Sequence, residues 1–222
     1  MSLTLIFDFD GTLIDSSAGI LNSLAAALSE AGLSYGNSLT PSLIGPPLQE
    51  TLRFLCPTAS QQTLDRLGSS FKSHYDTTGF KQTTPYPGVI EMLQALVDAE
   101  IPLHIATNKR HLPTLQILEA LGWSGLFAHV LSPDSFSPPL PSKVAILAQL
   151  LTEAKLAATD CLYIGDRLDD YKAAKQIGIP FALAVWGFEG DGAVFPPDTI
   201  RLDTPNADQL MTTFNSRPRW LS

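Results

Sequence analysis

Residues 5 to 16 have the sequence LIFDFDGTLIDS, and the interpretation of the whole chain starts from this stretch. An apolar segment leads into Asp8 and Asp10, and Gly11 and Thr12 then break the strand pattern. Side chains alternate along a strand, so two residues spaced i and i+2 share a face, and at a strand end both can project into one crevice. Two carboxylates that close repel each other unless a cation lies between them. The stretch therefore predicts a buried strand that delivers two acids to a cation-binding crevice.

The alternative for this stretch is a solvated Asp-Gly turn, which is a common surface feature. The apolar run from Leu3 to Phe9 argues against it, because such a run is typical of a core strand that leads directly into the acids.

The composition describes a globular, acidic chain. It has 222 residues, of which 45% are hydrophobic and 16% are charged, enough for one large domain or one domain with a small insertion. The formal net charge is −8 and Lys and Arg do not cluster, so we expect neither nucleic acid nor an anionic membrane as a partner. No apolar run could span a bilayer and no signal-peptide pattern is visible, so we expect a cytoplasmic protein. Cys56 and Cys161 are expected to be reduced.

Between residues 15 and 84 the pattern is helical. A capped helix ends at Gly32, residues 33–41 form a loop rich in Ser, Asn, Gly and Pro, and a helical pattern extends over residues 42–80. No strand signal interrupts it. The segment therefore reads as a helical insertion.

After residue 84 the pattern alternates between strands and helices. Further strands are predicted at residues 103–106, 128–131, 161–164, 181–185 and 199–202. Repeated βα units form a parallel, doubly wound sheet, and ligands bind such sheets at the carboxyl ends of strands. The sequence thus predicts an α/β, Rossmann-like core over residues 1–14 and 85–222, with an inserted helical cap domain over residues 15–84.

Two later segments carry groups that suit an anion. Thr107 and Asn108 follow a predicted strand, where a hydroxyl and an amide can hold phosphoryl oxygens. A helix-capping turn is an equally good explanation of this pair. Lys143 opens a helix, where the helix dipole opposes a cation and favours an anion nearby. Its alternative is a solvated surface charge behind Ser142 as the helix cap.

One more strand end supplies carboxylates. Asp166 leaves an apolar strand, and Asp170 follows four residues later. Mg²⁺ prefers hard oxygen ligands and few protein carboxylates. Asp8, Asp166 and the backbone carbonyl of Asp10 would suffice, with waters and a phosphate completing the shell. Asp169 or Asp170 could instead cap the next helix.

These four segments, in this order, resemble the four motifs of the haloacid dehalogenase superfamily. The phosphoglycolate phosphatase branch is the most similar, through DGTLIDS at residues 10–16, PGV at 87–89, TNK at 107–109 and Gly-Asp-x-x-x-Asp at 165–170. That branch has a helical cap inserted after its first strand, as residues 15–84 appear here. One departure is that Lys143 follows a Pro-Pro-Leu-Pro-Ser turn, whereas many members have Lys-Pro-x-Pro.

The resemblance implies a Mg²⁺-dependent phosphomonoesterase acting on a small phosphorylated metabolite. Asp8 would attack phosphorus to form an aspartyl-phosphate, and Asp10 would serve as general acid and then as general base. The implied site residues are Asp8, Asp10, Thr107 and Lys143 for catalysis; Gly11, Thr107, Asn108, Lys143 and the cap residue Arg53 for substrate binding; and Asp8, Asp10, Asp166 and Asp170 for the metal.

Other functions share these motifs. A sugar phosphomutase or a 5′-nucleotidase of the same superfamily remains open, as does a catalytically silent phosphate-binding module. A haloalkanoate dehalogenase is disfavoured, because it lacks the second acid that Asp10 provides here. Phosphoglycolate is the leading candidate substrate, Arg53 is equally well explained as a surface helix residue, and the oligomeric state is not encoded in any pattern found.

Overall fold

A computed structural model of the chain describes residues 3–34, 39–188 and 194–215. The strands within these ranges are β1 (Thr4–Phe7), β2 (Ile14–Asp15), β3 (Thr84–Pro85), β4 (Leu103–Ala106), β5 (His129–Leu131), β6 (Cys161–Gly165), β7 (Phe181–Ala184) and β8 (Ile200–Leu202). Six of them form one parallel sheet in the order β5-β4-β1-β6-β7-β8. The predicted α/β, Rossmann-like architecture is confirmed.

The helices described are α1 (Ser17–Glu30), α2 (Leu48–Leu55), α3 (Gln61–Thr77), α4 (Val89–Asp98), α5 (His111–Ala120), α6 (Lys143–Ala154), α7 (Leu168–Ile177) and α8 (Ala207–Asn215). The predicted helical stretch over residues 42–80 is divided between α2 and α3, with single helical turns at Pro41–Leu43 and Gly79–Gln82. A helix with the length and hydrophobicity needed to cross a membrane does not occur in the part of the chain that the structure describes.

The sheet is covered on both faces, which explains why its strands are apolar without interruption. Leu5 and Phe7 of β1 join one hydrophobic cluster with α4, α5 and α8, while Ile6 faces the opposite cluster with α6 and α7. This alternation is the period of two expected for a strand. The central strand β1 is completely buried, so its carboxyl end is held rigidly at the edge of the sheet.

The strand order decides which segments meet at that edge. β1 lies between β4 and β6, with Phe7 in register with Ile105 on one side and Ile164 on the other. The residues that follow these three positions therefore leave the sheet side by side. This brings the first, second and fourth polar segments of the sequence together at the topological switch point, where doubly wound sheets bind ligands.

Helices α1, α2 and α3 build a hydrophobic cluster of their own, which includes Leu28, Leu52, Leu64 and Phe71. The chain enters and leaves this region through β2 and β3, which pair antiparallel with Asp15 opposite Thr84. The division into a core and a cap at these two points stays a prediction, and the arrangement of the clusters supports it.

Candidate active site

The Asp8 carboxylate is presented by the end of β1. The Asp8 backbone N–H donates to the carbonyl oxygen of Ile164 at 2.8 Å, which extends the pairing of β1 with β6 by one residue. The side chain is 6% exposed, and Lys143 Nζ donates to its Oδ1 at 2.8 Å. Burial raises the pKa of Asp8 to about 6; Lys143 opposes this effect and Asp170 adds to it.

Lys143 is buried at the start of α6 and binds two carboxylates. Its Nζ lies 2.8 Å from Asp8 Oδ1 and 2.9 Å from Asp170 Oδ1, and it donates to Tyr163 Oη at 3.0 Å. Burial lowers the pKa of Lys143, but Asp170 and Asp8 outweigh burial and the pKa is raised overall. Ser142 also caps the helix, accepting from the N–H of Ala145 at 3.2 Å. The cap expected from the alternative reading is therefore present, but the solvated lysine is not.

Asp166 is fully buried, and no lysine or arginine among the described residues is hydrogen-bonded to it. Thr12 Oγ1 donates to its Oδ1 at 3.4 Å, and the N–H of Phe188 donates to its Oδ2 at 2.9 Å. Burial raises its pKa well above the usual range, and the nearby Asp170 and Asp8 raise it further. A Cβ at Gly11, which has φ +85°, would lie 2.3 Å from Asp166 Oδ2. Gly11 is thus needed to let the first loop approach this carboxylate.

Asp8, Asp166 and Asp170 form a cluster with the composition of a metal site. Each offers a carboxylate oxygen, and these atoms lie within 4.8 Å of one another. Lys143 contacts only two of these three buried carboxylates, which leaves an excess of negative charge that a divalent cation would neutralise. All donors are hard oxygens, which fits Mg²⁺. Both oxygens of Asp170 already have protein partners. Its Oδ1 accepts from Lys143 and Tyr163, and its Oδ2 accepts from the N–H of Arg167.

The Asp10 carboxylate does not belong to this cluster. Its Oδ1 accepts from Ser16 Oγ at 2.5 Å and from Lys109 Nζ at 2.9 Å, and its Oδ2 lies 3.2 Å from the same Nζ. The side chain is half-buried, and it is separate from the group of carboxylates around Lys143. The two acids of the first motif therefore have different surroundings, as different chemical roles require.

Thr107 and Asn108 continue from the end of β4. Thr107 is buried, and its Oγ1 accepts from the N–H of Lys109 at 3.1 Å, so a local turn forms, but it does not cap a helix, because α5 begins at His111 after Arg110. Asn108 is exposed. Both residues nevertheless line the same cavity as Asp8 and Lys143. Turn formation and access to the site are compatible here.

A cavity of about 350 Å³ separates these groups from the cap helices. Its wall on the side of the sheet contains Asp8, Asp10, Thr107, Asn108, Lys143 and Asp170. Its wall on the side of the cap is largely apolar and contains Leu24, Leu43, residues 44–49, Phe71, Lys72 and Tyr75. Charged groups are thus concentrated on the wall on the side of the sheet, and the wall on the side of the cap is mostly apolar, as is usual for small-molecule sites.

The sequence matches the family of haloacid dehalogenase-like hydrolases over residues 5–184. The chain belongs to this family. A phosphoglycolate phosphatase from Xylella fastidiosa is 31% identical over 209 residues, covering 89% of this chain and 87% of that protein. The solved structure of a haloacid dehalogenase-like hydrolase from Streptococcus pneumoniae has a TM-score of 0.82 at 26% identity, covering 96% of this chain and 98% of that one.

A protein named tyrosine-protein kinase PtkA, from Mycobacterium tuberculosis, is 29% identical over 82% of this chain and 62% of its own length. The fold is therefore shared by relatives with different names. For this haloacid dehalogenase-like hydrolase, the family and the curated phosphatases confirm that it is an enzyme of the phosphatase class.

One predicted contact is not supported by the geometry. Arg53 is exposed on α2, donates to Gln61 Oε1 at 2.6 Å, and is absent from the cavity wall. The reason is helical periodicity, because Leu52 and Leu55 face the hydrophobic cluster of the cap and so turn Arg53 to solvent. The arginines that do line the cavity are Arg110 and Arg167, which both lie outside the cap helices.

Two site residues of this hydrolase were missed by sequence reasoning. Lys109 is the third residue of the TNK segment. Because it follows Thr107 by two residues at the same strand end, the sequence could have indicated that its side chain also reaches the site. Tyr75 has no local signal at all, because it is one of many residues on an amphipathic cap helix and reaches the site only through the packing of α3.

Proposed function

We propose that the chain is a Mg²⁺-dependent phosphomonoester hydrolase that acts through an aspartyl-phosphate on Asp8. The observation that carries this proposal is the placement of Asp8. It is a buried carboxylate beside Lys143 and within a three-carboxylate cluster, at the floor of the cavity. A carboxylate in this position can attack a phosphorus atom that enters from the chamber.

Lys143 would orient Asp8 and bind a phosphoryl oxygen. It remains protonated because two carboxylates face it, and its position is fixed by Tyr163 and by the start of α6. Asp170, held by Tyr163 and by the N–H of Arg167, would position Lys143. Thr107 and Asn108 would add neutral donors for the other phosphoryl oxygens.

Asp8, Asp166, the backbone carbonyl of Asp10 and, directly or through water, Asp170 would hold the metal. When bound, Mg²⁺ would screen the charge of the attacking carboxylate from the phosphate dianion and stabilise the charge that develops on the phosphoryl oxygens. The excess of buried carboxylates over cations in this cluster supports a divalent ion there.

Asp10 would act as general acid towards the leaving alcohol and as general base towards water in the second half of the reaction. Its carboxylate lines the cavity and is separate from the carboxylates around Lys143, which supports a role different from that of Asp8. The cap would exclude bulk water and contact the organic part of the substrate.

The names of curated relatives make phosphoglycolate the first substrate to test. The decisive measurement is release of inorganic phosphate from a panel of phosphorylated metabolites by metal-free protein, before and after addition of Mg²⁺. Repeated turnover to free phosphate would exclude a phosphomutase and a silent binding module. A phosphoryl group on the peptide that contains Asp8, trapped by rapid acid quenching, would establish the intermediate. Absence of phosphate release from the whole panel in Mg²⁺ would overturn the proposal.

A further inference from the structure

Lys109 is a buried cation that the proposed mechanism does not use. It is 9% exposed, and its Nζ reaches both oxygens of Asp10, at 2.9 and 3.2 Å. The ammonium faces the acid of the first motif and no other carboxylate among the described ion pairs.

The cap fixes this lysine from the other side. Lys109 Nζ donates to Tyr75 Oη at 2.7 Å and lies 4.6 Å from the centre of the Tyr75 ring. The ring is itself stacked on Phe71, with 5.6 Å between centroids and planes 10° apart. Tyr75 and Phe71 are both buried. The buried Tyr75 of α3 thus holds Lys109 at one position, and Lys109 in turn holds the Asp10 carboxylate.

We propose that Lys109 is a positioning residue that holds Asp10 against the leaving-group oxygen and stabilises the charge Asp10 acquires when it donates its proton. The inference rests on the proposed hydrolase function and adds to it a residue with no assigned role. Because the partner of Lys109 in the cap is Tyr75, the acid is fully assembled only when α3 lies over the site.

The chemical step is balanced without any proton from Lys109. The bond from Asp8 Oδ to phosphorus forms while the bond from phosphorus to the alcohol oxygen breaks, and the proton of the Asp10 carboxyl group moves to that oxygen. Asp10 thereby becomes a carboxylate, and the ion pair with Lys109 is the arrangement after this transfer. The interaction is stronger once the proton has begun to leave, which is the condition for accelerating the step. The same carboxylate then accepts a proton from the hydrolytic water.

The test exploits the dependence of acid catalysis on the leaving group. Phenyl phosphate and p-nitrophenyl phosphate have similar shapes, but phenolate is the poorer leaving group and needs the acid more. For Lys109→Met, kcat/KM on phenyl phosphate should fall roughly tenfold to a hundredfold, the usual worth of a charge-assisted contact. The loss on p-nitrophenyl phosphate should be about tenfold smaller. Lys109→Arg, which keeps the charge, should restore part of the difference.

A double-variant comparison shows whether Lys109 acts through Asp10. In an Asp10→Asn background, Lys109→Met should cause no further loss that depends on the leaving group, because the group it serves is gone. Tyr75→Phe keeps the ring and the lysine and should give a smaller loss with the same preference. This variant also keeps the test decisive if Lys109→Met does not fold.

The matched control is Lys175→Met. Lys175 also donates to a tyrosine hydroxyl, that of Tyr171 at 3.2 Å, but it is exposed on α7 and is not part of the cavity wall. Lys175→Met should leave kcat/KM unchanged on both phenyl phosphate and p-nitrophenyl phosphate. Equal losses on both esters for Lys109→Met and Tyr75→Phe, or a leaving-group effect that persists in the Asp10→Asn background, would overturn the inference. Wild-type protein that releases phosphate from no ester would instead refute the proposed hydrolase function.

Discussion

Arg167 Nη1 donates to the carbonyl oxygen of Ile44 at 2.6 Å, so a core residue next to the buried carboxylate Asp166 holds a loop of the cap. The following residue, Gly45, has φ +114°, and a Cβ there would lie 2.5 Å from Arg167 Nε. The loop can approach the guanidinium this closely only because position 45 has no side chain. The shape of the chamber above the site therefore depends on a contact between the two parts of the chain.

This contact predicts where substrate preference is encoded. Gly45→Ala, Arg167→Gln or a smaller residue at Leu48 should change the ratio of kcat/KM values among phosphate esters while Mg²⁺ dependence is retained, because the residues proposed to bind the phosphoryl group and the metal are Asp8, Lys143 and their neighbours at the strand ends. The measurement is a comparison of several esters for each variant. Arg66→Gln is the control, since Arg66 is an exposed cap arginine outside the cavity wall. Equal scaling of all esters would mean that the cap is only a lid.

Hydrolysis should require a divalent cation, with Mg²⁺ effective and Ca²⁺ poor or inhibitory. Mg²⁺ keeps a tight octahedral shell, while Ca²⁺ accepts more oxygens and can bind Asp8 through both of them, which would occupy the nucleophile. Phosphate release is compared after chelation and after each metal is restored. Full activity in the presence of excess chelator would contradict this prediction.

Asp166→Asn should separate metal binding from folding. Mg²⁺ should raise the melting temperature of the wild-type protein but not of the variant, which lacks a carboxylate of the cluster. Without metal the variant should be at least as stable as the wild type, because the buried charge of Asp166 is opposed by Asp170 and Asp8. Thermal unfolding with and without Mg²⁺ checks both statements. Asp98→Asn, at an exposed carboxylate on α4, serves as the control.

Asp8→Asn should abolish turnover, because an amide is a far weaker nucleophile than a carboxylate.

Asp10→Asn should retain Mg²⁺ and substrate binding, because its side chain is bound by Lys109 and Ser16 and lies outside the carboxylate cluster. Its rate should fall by roughly 10²- to 10⁴-fold, the usual contribution of general acid–base catalysis. An Asp10→Asn protein that keeps its rate but loses the metal would reverse the roles assigned to the two acids.

The stability of the fold should depend on pH through His104. This side chain is buried in β4, and burial together with the neighbouring His129 lowers its pKa to about 4. In the unfolded chain the pKa is near 6.5, so the unfolded state takes up the proton first as the pH falls. Neutral His104 therefore contributes up to about 3 kcal/mol to the free energy of unfolding. This contribution is fully present above pH 6.5 and is lost as the pH falls from 6.5 to about 4. The free energy of unfolding, measured in urea at several pH values, should change between pH 6.5 and 4 by a smaller contribution of this sign in His104→Leu than in the wild-type protein.

Local patterns were sufficient for the fold because they follow short-range rules. The apolar run before Asp8, the repeated βα units and the helical patterns on either side of the loop at residues 33–41 each have a period that identifies its element. The order of the elements then restricts the topology, since crossovers between parallel strands are right-handed. Because the carboxyl ends of parallel strands lie at one edge of a sheet, the sequence also predicts that Asp8, Thr107 and Asp166 meet there.

The sequence by itself determined the six strands of the parallel sheet, the class of sheet, the four polar segments and the family they indicate, because all of these depend on residue type and on spacing along the chain. Only the tertiary structure decided which charges meet. The contacts of Lys109 with Asp10 and Tyr75, and of Arg167 with Ile44, join residues that are distant in sequence. Such contacts depend on how α2 and α3 pack above the sheet, and no periodicity within a single element encodes that packing.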